Sequence, residues 1–442
     1  MKRPVPFPAV SFSLSSLLLL ACTLLSCCTA ARGQRLDPTE RKILSQVARN
    51  MPRAEALVEE AVRINSGTMN HAGVRRVGRV FARELEQIGF ETRWVDLPDS
   101  LNRAGHLFAE RRGSKGKRLL LIGHLDTVFD GDSIRQGFER EGHTLKGPGT
   151  SDMKGGNVLV VYALRALHEL GLLQDTQIIV AFTGDEEEGG RPLAVSRRDL
   201  KEAGRRSDIA LAFEGAIGLD NATIARRGVS SWRLEVTGQQ AHSAGVFGSY
   251  AGSGAIFEAS RILHQFHEAF RGQEYLTVNP GVILGGTEVS YDTAQSSGTA
   301  YGKTNVVANT VTVAGDMRFI SNDQEAQTRA RMREIVAQHL PATSARVVFK
   351  EGYPAMQPKE ANLEVLQVLD RVSRDMGAGP VKAYDPGGRG AGDIAFVADD
   401  IPALDGLGVM GGGAHTPEET MDLRSFRLLT QRTALLIYRL TR

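Results

Sequence analysis

The sequence predicts an α/β fold into which a ferredoxin-like α+β domain is inserted, and three observations lead to it. Continuous apolar runs (Arg118 to Gly123, Thr176 to Thr183, Ile209 to Phe213) alternate with helical stretches. That is the pattern of strands buried on both faces of a sheet. From Gly228 the texture changes to half-exposed strands in the order βαββαβ. After about Gly352 the α/β pattern resumes. The parent domain is therefore expected to be discontinuous, over 37–227 and 353–442, with 228–352 as the insertion.

Residues 1–31 read as an export signal. Lys2 and Arg3 precede a Leu-rich apolar stretch, Ala9 to Ser26, and the small residues Thr29, Ala30 and Ala31 offer a cleavage site. No second apolar segment of that length follows, so the chain is expected to be periplasmic or secreted. Leu24 to Cys27 loosely resembles a lipoprotein box; membrane association is expected only with a lipid on Cys27. All three cysteines (22, 27 and 28) lie in this segment. Cleavage after Ala31 would leave no thiol, so any metal would be held by imidazole and carboxylate.

Asp37 to Gly89 reads as helical, with Ile43, Val47, Ala54, Leu57, Val58, Ala61 and Val62 at helical spacing. Phe90 to Val95 is expected to be a strand, and the basic stretch Arg111 to Arg118 a solvated hairpin tip. A helix is expected over Val158 to Leu173. In the insertion, Ser230 to Thr237 alternates, with Trp232, Leu234 and Val236 on one face. A helix near Ser253 to Phe270, strands near Leu276 to Leu284 and Asn309 to Phe319, a helix from Asp323 to Leu340 and a strand from Ala345 to Lys350 complete it. The parent domain ends with helices over Asn362 to Met376 and Leu423 to Arg439.

A length of 442 residues suits two domains, and 42% hydrophobic with 24% charged residues excludes a disordered chain. The balance of 53 basic and 51 acidic residues argues against nucleic-acid binding, which wants a strongly basic face.

The informative polar residues sit at the ends of the buried strands. His124 and Asp126 follow RLLLIG; at strand spacing they share a face, and the carboxylate is placed to hold the imidazole N–H. Asp152 lies in a glycine-rich turn (GPGTSDMKGG) whose spacing matches neither phosphate-loop pattern. Asp185 to Glu188 put four carboxylates at the carboxyl end of a strand, where α/β ligand sites form and where crowded acids need cations. Glu214 follows IALAF, and a glycine run delivers His415. Two imidazoles and several carboxylates at the strand ends of one sheet point to a metal site. His264 and His267 lie three apart on a helix without accompanying acids and read as solvent-facing.

With these motifs in their order (HLDT, GPGTSDMKGG, GDEEEGG, AFEG, AHSAG, GGGAHT), the chain resembles the co-catalytic zinc exopeptidases and deacylases. That family includes bacterial glutamate carboxypeptidase, aminoacylase and succinyl-diaminopimelate desuccinylase. The likeness to the glutamate carboxypeptidase branch, through GPGTSDMKGGN and AHSAG, is strong. The resemblance implies a zinc-exopeptidase-like domain, a mixed sheet with helices on both faces, and an inserted lid and dimerisation domain. It implies two Zn2+ per chain, with Co2+ or Mn2+ as substitutes. His124 and Glu214 would hold one metal, Glu187 and His415 the other, and Asp152 would bridge them through a cis Asp152–Met153 peptide. Glu186 matches the general base, and His242 a residue that stabilises the oxyanion, often from a partner subunit. Arg318 matches the grip on the substrate carboxylate, and Asn305 a supporting donor. Gly388 and Gly392 match a loop that approaches the substrate backbone, although GGRGAGD departs from the more usual GG-x-(S/T)-D by carrying Arg389. The implied activity is release of a C-terminal, glutamate-like amino acid from a peptide or N-acyl amino acid by a homodimer. A deacylase, desuccinylase or dipeptidase is the near alternative. A catalytically silent binding protein on this scaffold is the distant one, against which stands the presence of every matched residue.

Overall fold

A computed structural model describes residues 36–131 and 137–442; residues 1–31, read above as an export signal, and Cys27 among them lie outside the described residues. Among those described, no helix is long and apolar enough to cross a membrane. In the parent domain, helices α1 (Pro38–Val62) and α2 (His71–Glu86) precede strands β1 (Glu91–Val95), β2 (His106–Arg111) and β3 (Lys115–His124). Helix α3 (Gly155–Glu169), β4 (Thr176–Thr183) and β5 (Ile209–Ala212) follow. The insertion contributes β6 (Gly228–Gly238), α4 (Gly254–Phe270), β7 (Thr277–Gly286), β8 (Thr310–Phe319), α5 (Asn322–Val336) and β9 (Thr343–Lys350). The chain then returns with α6 (Glu360–Asp375), β10 (Ala403–Leu404) and α7 (Leu423–Leu440).

The parent sheet runs β1-β2-β4-β3-β5-β10, with its last four strands parallel and β1 and β2 antiparallel to their neighbours. The apolar runs work as expected. Leu119 and Leu121 enter one core with α1, α2, α3 and α7, while Leu120 and Ile122 enter a second core on the opposite face. Ile178, Val180 and Phe182 alternate with Ile179 and Ala181 in the same way. Period-two alternation thus feeds two cores at once, so the run Leu119 to Ile122 in β3 and the run Ile178 to Phe182 in β4 have no position free to be polar.

The inserted sheet, β7-β8-β6-β9, is antiparallel throughout, and its buried face packs Trp232, Leu234 and Val236 against Ala259, Ile262 and Phe266 of α4 and Met332 and Ile335 of α5.

Three expectations need correction. The helical region from Asp37 to Gly89 is two helices, because the chain turns over 63–70: Gly67 pairs with Thr127, and Asn70 caps α2 by accepting from the Gly73 N–H at 3.1 Å. A Cβ on Gly67 would lie 2.3 Å from the Phe129 carbonyl oxygen, so only glycine permits that approach. The basic stretch after Arg111 is not a hairpin tip, since β4 lies between β2 and β3 in the sheet. Finally, an antiparallel hairpin (Glu288–Asp292 with Ser297–Tyr301) adds to the ferredoxin-like pattern just before Asn305.

Candidate metal centre

The donor residues converge at the carboxyl ends of β3, β4 and β5. His124 closes β3 and is buried; its Nε2 lies 3.1 Å from Asp152 Oδ1 and 3.7 Å from Glu214 Oε1. The other oxygen of Asp152 lies 3.1 Å from His415 Nε2, which is 3.3 Å from Glu187 Oε2. One carboxylate therefore faces two imidazoles, each with its own glutamate. Ligand atoms of His124, Asp152 and Glu187 fall within 4.8 Å of one another, as do those of His124, Glu186 and Glu214. The Asp152–Met153 peptide is cis. His415 sits at φ 64°, a left-handed backbone that the preceding glycine run helps the chain reach.

The electrostatics are those of acids gathered for cations. Burial pushes Glu186 well above the usual carboxylate range, reinforced by the charges of Glu214, Asp393 and Glu187. Burial, then the Asp152 charge, pushes Glu214 up to about 7. Burial would also raise Asp152, but hydrogen bonds from His124 and His415 override it and hold that carboxyl well below its ordinary range. His415 is raised to about 10 by its bonds to Asp152 and Glu187. Protons here stand in the place that divalent cations would fill.

The four consecutive acids go four ways. Asp185 turns inward to Arg197, Nη1 to Oδ1 at 2.5 Å, and also accepts from Ser196 Oγ and the Gly190 N–H. Glu186 and Glu187 enter the cluster. Glu188 turns outward to Arg103 at 2.8 Å. Asp126 has contacts beyond those the sequence led us to expect. The Asp126 backbone carbonyl takes the His124 Nδ1 contact at 3.0 Å, while its carboxylate stands 3.4 Å from that nitrogen. The carboxylate also accepts from the backbone N–H groups of Glu186 (3.0 Å) and Glu187 (3.1 Å) and from Thr68 Oγ1 (2.7 Å). It fixes the segment that carries the two glutamates.

Several supporting residues were not read from the sequence. Glu419, buried, accepts from the N–H groups of Gly149 and Ser151 at 2.7 Å and of Asp152 at 2.8 Å, and from Ser151 Oγ at 3.0 Å. Arg197, fully buried, binds Asp185, Asp393 (2.7 Å) and Tyr353 (2.7 Å); the Tyr353 hydroxyl donates to the Glu186 carbonyl at 2.7 Å. The only advance signal was residue type: an acid just after the His415 turn, and an acid closing GGRGAGD.

The remaining sequence-nominated residues are not joined to the cluster by any hydrogen bond or ion pair among the described residues. His242 is exposed on the insertion, its Nδ1 accepting from the Ala244 N–H at 3.2 Å. The Asn305 backbone carbonyl accepts from the Ser243 N–H at 2.9 Å, so Asn305 shapes the His242 turn. Arg318 donates to Asp316 at 3.0 Å. A Cβ on Gly388 would meet the Tyr384 hydroxyl at 2.6 Å, and one on Gly392 the Arg226 guanidinium at 2.5 Å, so a side chain at either position would have to displace the end of a neighbouring one. A cavity of about 650 Å³ on the inserted sheet, lined in part by Trp232, Arg233, Asp316 and Lys350, contains none of the donor residues. His264 and His267 are exposed, as expected.

The profile of peptidase family M20/M25/M40 matches residues 120–439. The chain belongs to that family. It is 26% identical over 390 residues to carboxypeptidase G2 of Pseudomonas sp. (strain RS-16), covering 87% of this chain and 88% of that protein. It is 25% identical over 379 residues to a succinyl-diaminopimelate desuccinylase of Magnetococcus marinus, covering 81% and 91%. Its fold is shared with the aminopeptidase PepT of Bacillus cereus (TM-score 0.71, 20% identity, 89% of this chain and 99% of that one). It is also shared with an M20 family metallo-carboxypeptidase, Sso-CP2, of Sulfolobus solfataricus (TM-score 0.60, 16% identity, 87% and 98%). As an M20 family member the chain is a metallopeptidase-type hydrolase, and the donor cluster is its candidate metal centre.

Proposed function

We propose that the protein is an exported dizinc hydrolase that cleaves the amide bond releasing a C-terminal, glutamate-like amino acid. The observation that carries the reading is Asp152, whose two oxygens face two different imidazoles. His124 and Glu214 with one oxygen, and His415 and Glu187 with the other, fit a pair of borderline-soft divalent cations; Zn2+ suits this imidazole and carboxylate set, with Co2+ or Mn2+ as substitutes. When bound, such a pair polarises the scissile carbonyl and acidifies a water towards neutrality. Glu186, its carboxylate crowded by burial and by Glu214, takes a proton from that water and returns it to the leaving nitrogen. Asp126 holds the Glu186 and Glu187 amides so that both side chains keep their aim.

The insertion would act as lid and dimerisation domain. Phe247, Tyr250, Ile256 and Phe257 lie exposed near the His242 turn, and the rings of Phe247 and Phe257 are 5.5 Å apart. An apolar cluster of that kind favours burial against a second copy, which would bring a partner's His242 to the oxyanion. Ultracentrifugation showing only monomer would remove that role. Export is tested by the N-terminal sequence and cell fraction of the native protein.

The decisive experiment combines metal analysis with a panel of N-acyl-glutamates, dipeptides and N-succinylated diamines. About two metals per chain and release of free amino acid are expected. Turnover of the succinylated diamines alone would move the reading to a desuccinylase; turnover of nothing would leave a binding protein. Glu186→Gln should abolish turnover with metal content kept, whereas lost metal would make Glu186 a ligand.

A further inference from the structure

Arg389 lies half-buried in the loop GGRGAGD, next to the candidate metal centre. Its loop is held on both sides: Arg226 Nε donates to the Gly390 carbonyl at 2.7 Å and Arg227 Nη2 to the Gly387 carbonyl at 3.0 Å. Between these staples the Arg389 side chain runs inward, and Nη1 donates to the carbonyl of Gly215 at 3.2 Å, the residue after Glu214. Its Nε is buried with no hydrogen-bond partner. Among the described residues no carboxylate lies within ion-pair distance of it, while Arg226 pairs with Asp405 and Arg318 with Asp316. Burial, then the Arg226 cation, works against its charge; Asp405, Glu214 and Asp152 are close enough to offset part of that.

A guanidinium withdrawn from water is stable only with its donors engaged, and its planar fork matches a carboxylate. The fold supplies one carbonyl to Nη1 and pairs neither Nε nor Nη2, beside a residue of the candidate metal centre. An anion that arrives with the substrate would engage the guanidinium from the side that Nε does not close off. The terminal carboxylate is common to every released amino acid, and Arg318 is already matched to it; a second cation is called for only by a second anion.

We propose that Arg389 is a specificity-determining residue whose guanidinium receives the side-chain carboxylate of the released amino acid. The proposal rests on the amidohydrolase reading above and names its substrate class: acidic, dianionic leaving amino acids. The test uses the full, metal-loaded protein and two substrates with the same acyl group, N-acyl-glutamate and N-acyl-glutamine, which differ in the side-chain charge. The wild type should prefer glutamate. Arg389→Gln should lose about 10- to 100-fold in kcat/KM on glutamate, mainly through KM, and change on glutamine by no more than about threefold. Arg389→Lys should recover part of the loss and guards against a Gln variant that fails to fold. Calorimetric binding of glutarate should weaken in step, a readout independent of turnover. Equal losses on both substrates, an unchanged glutamate preference in the variants, or no such preference in the wild type would overturn the proposal. If the wild type releases no amino acid from either substrate, it is the underlying amidohydrolase reading that fails.

Discussion

Replacing Glu419 by glutamine should disable the metal centre although Glu419 is not expected to touch a metal. Its Oε1 takes the Ser151 and Asp152 N–H groups and the Ser151 hydroxyl, and its Oε2 the Gly149 N–H. Burial pushes its pKa up and the three N–H groups pull it back; both oxygens act only as acceptors, which is the ionised form. In Glu419→Gln one position becomes an NH2 group. With the carbonyl kept towards Ser151 and Asp152, a donor faces the Gly149 N–H across a 2.7 Å contact. One buried donor unsatisfied costs about 1–3 kcal/mol, and three bonds demoted from charged to neutral about 0.5–1.5 kcal/mol each, so the loss is on the order of 2.5–7.5 kcal/mol. Because two of these N–H groups belong to Asp152 and its neighbour, the damage falls on the Asp152 carboxylate, and metal affinity should fall about 10- to 100-fold. Chemical unfolding of metal-free and metal-loaded protein, with competition against a chromophoric chelator, measures both effects. A variant within about 0.5 kcal/mol and threefold of the wild type would refute the assignment.

Asp126→Asn should lower turnover about 10- to 100-fold with KM little changed, since one of its oxygens serving Glu186, Glu187 and Thr68 becomes a donor; steady-state kinetics checks it, and an unaffected kcat would contradict it. Arg197→Met leaves the buried Asp185 and Asp393 without their cation and should cost about 3–5 kcal/mol, read by the unfolding midpoint; a midpoint equal to the wild type's would contradict it. The pH response of the metal-free chain has a definite sign. Glu214, raised to about 7 by burial and Asp152, contributes stability that is whole below the ordinary carboxylate pKa and is lost as pH rises through about 7. His415, raised to about 10, acts in the same direction at higher pH, and Glu186, also raised, adds to the fall. The metal-free unfolding midpoint should therefore fall between about pH 5.5 and 8 while the gain on adding Zn2+ grows, because the metals need those protons gone. A midpoint and a metal-induced gain that are flat across that interval would contradict it.

The sequence located the donors because of a simple contrast. From Leu119, Ile178 and Ile209 onward, strands β3, β4 and β5 are apolar on both faces, so a histidine or glutamate at or just past their carboxyl ends is conspicuous. The same reasoning did not reach Arg197, Tyr353 and Glu419. Arg197 meets Asp393 across 196 residues of chain, and Glu419 meets Gly149 across 270, so no local pattern links them. It placed the Asp126 carboxylate beside His124, where it does stand, but missed its bonds to the amides of Glu186 and Glu187 for a related reason. The strand geometry that puts His124 and Asp126 on one face stops at His124, and beyond it the turn aims the carboxylate at the Glu186 and Glu187 amides.

From the sequence alone came the α/β class, the interruption by a βαββαβ unit, and the chain order of two histidines and the acids at strand ends, all readable from hydrophobic period and its termination. Only the tertiary structure decided where each acid points. In Asp185 to Glu188 the repeat that fixes side-chain direction has ended, and direction is set by partners distant in the chain: Arg197 for Asp185, the metal cluster for Glu186 and Glu187, Arg103 for Glu188. Four identical charges in a row became a buried brace, two members of the donor cluster and a surface ion pair because a carboxylate settles beside whichever cation or donor the fold brings to it.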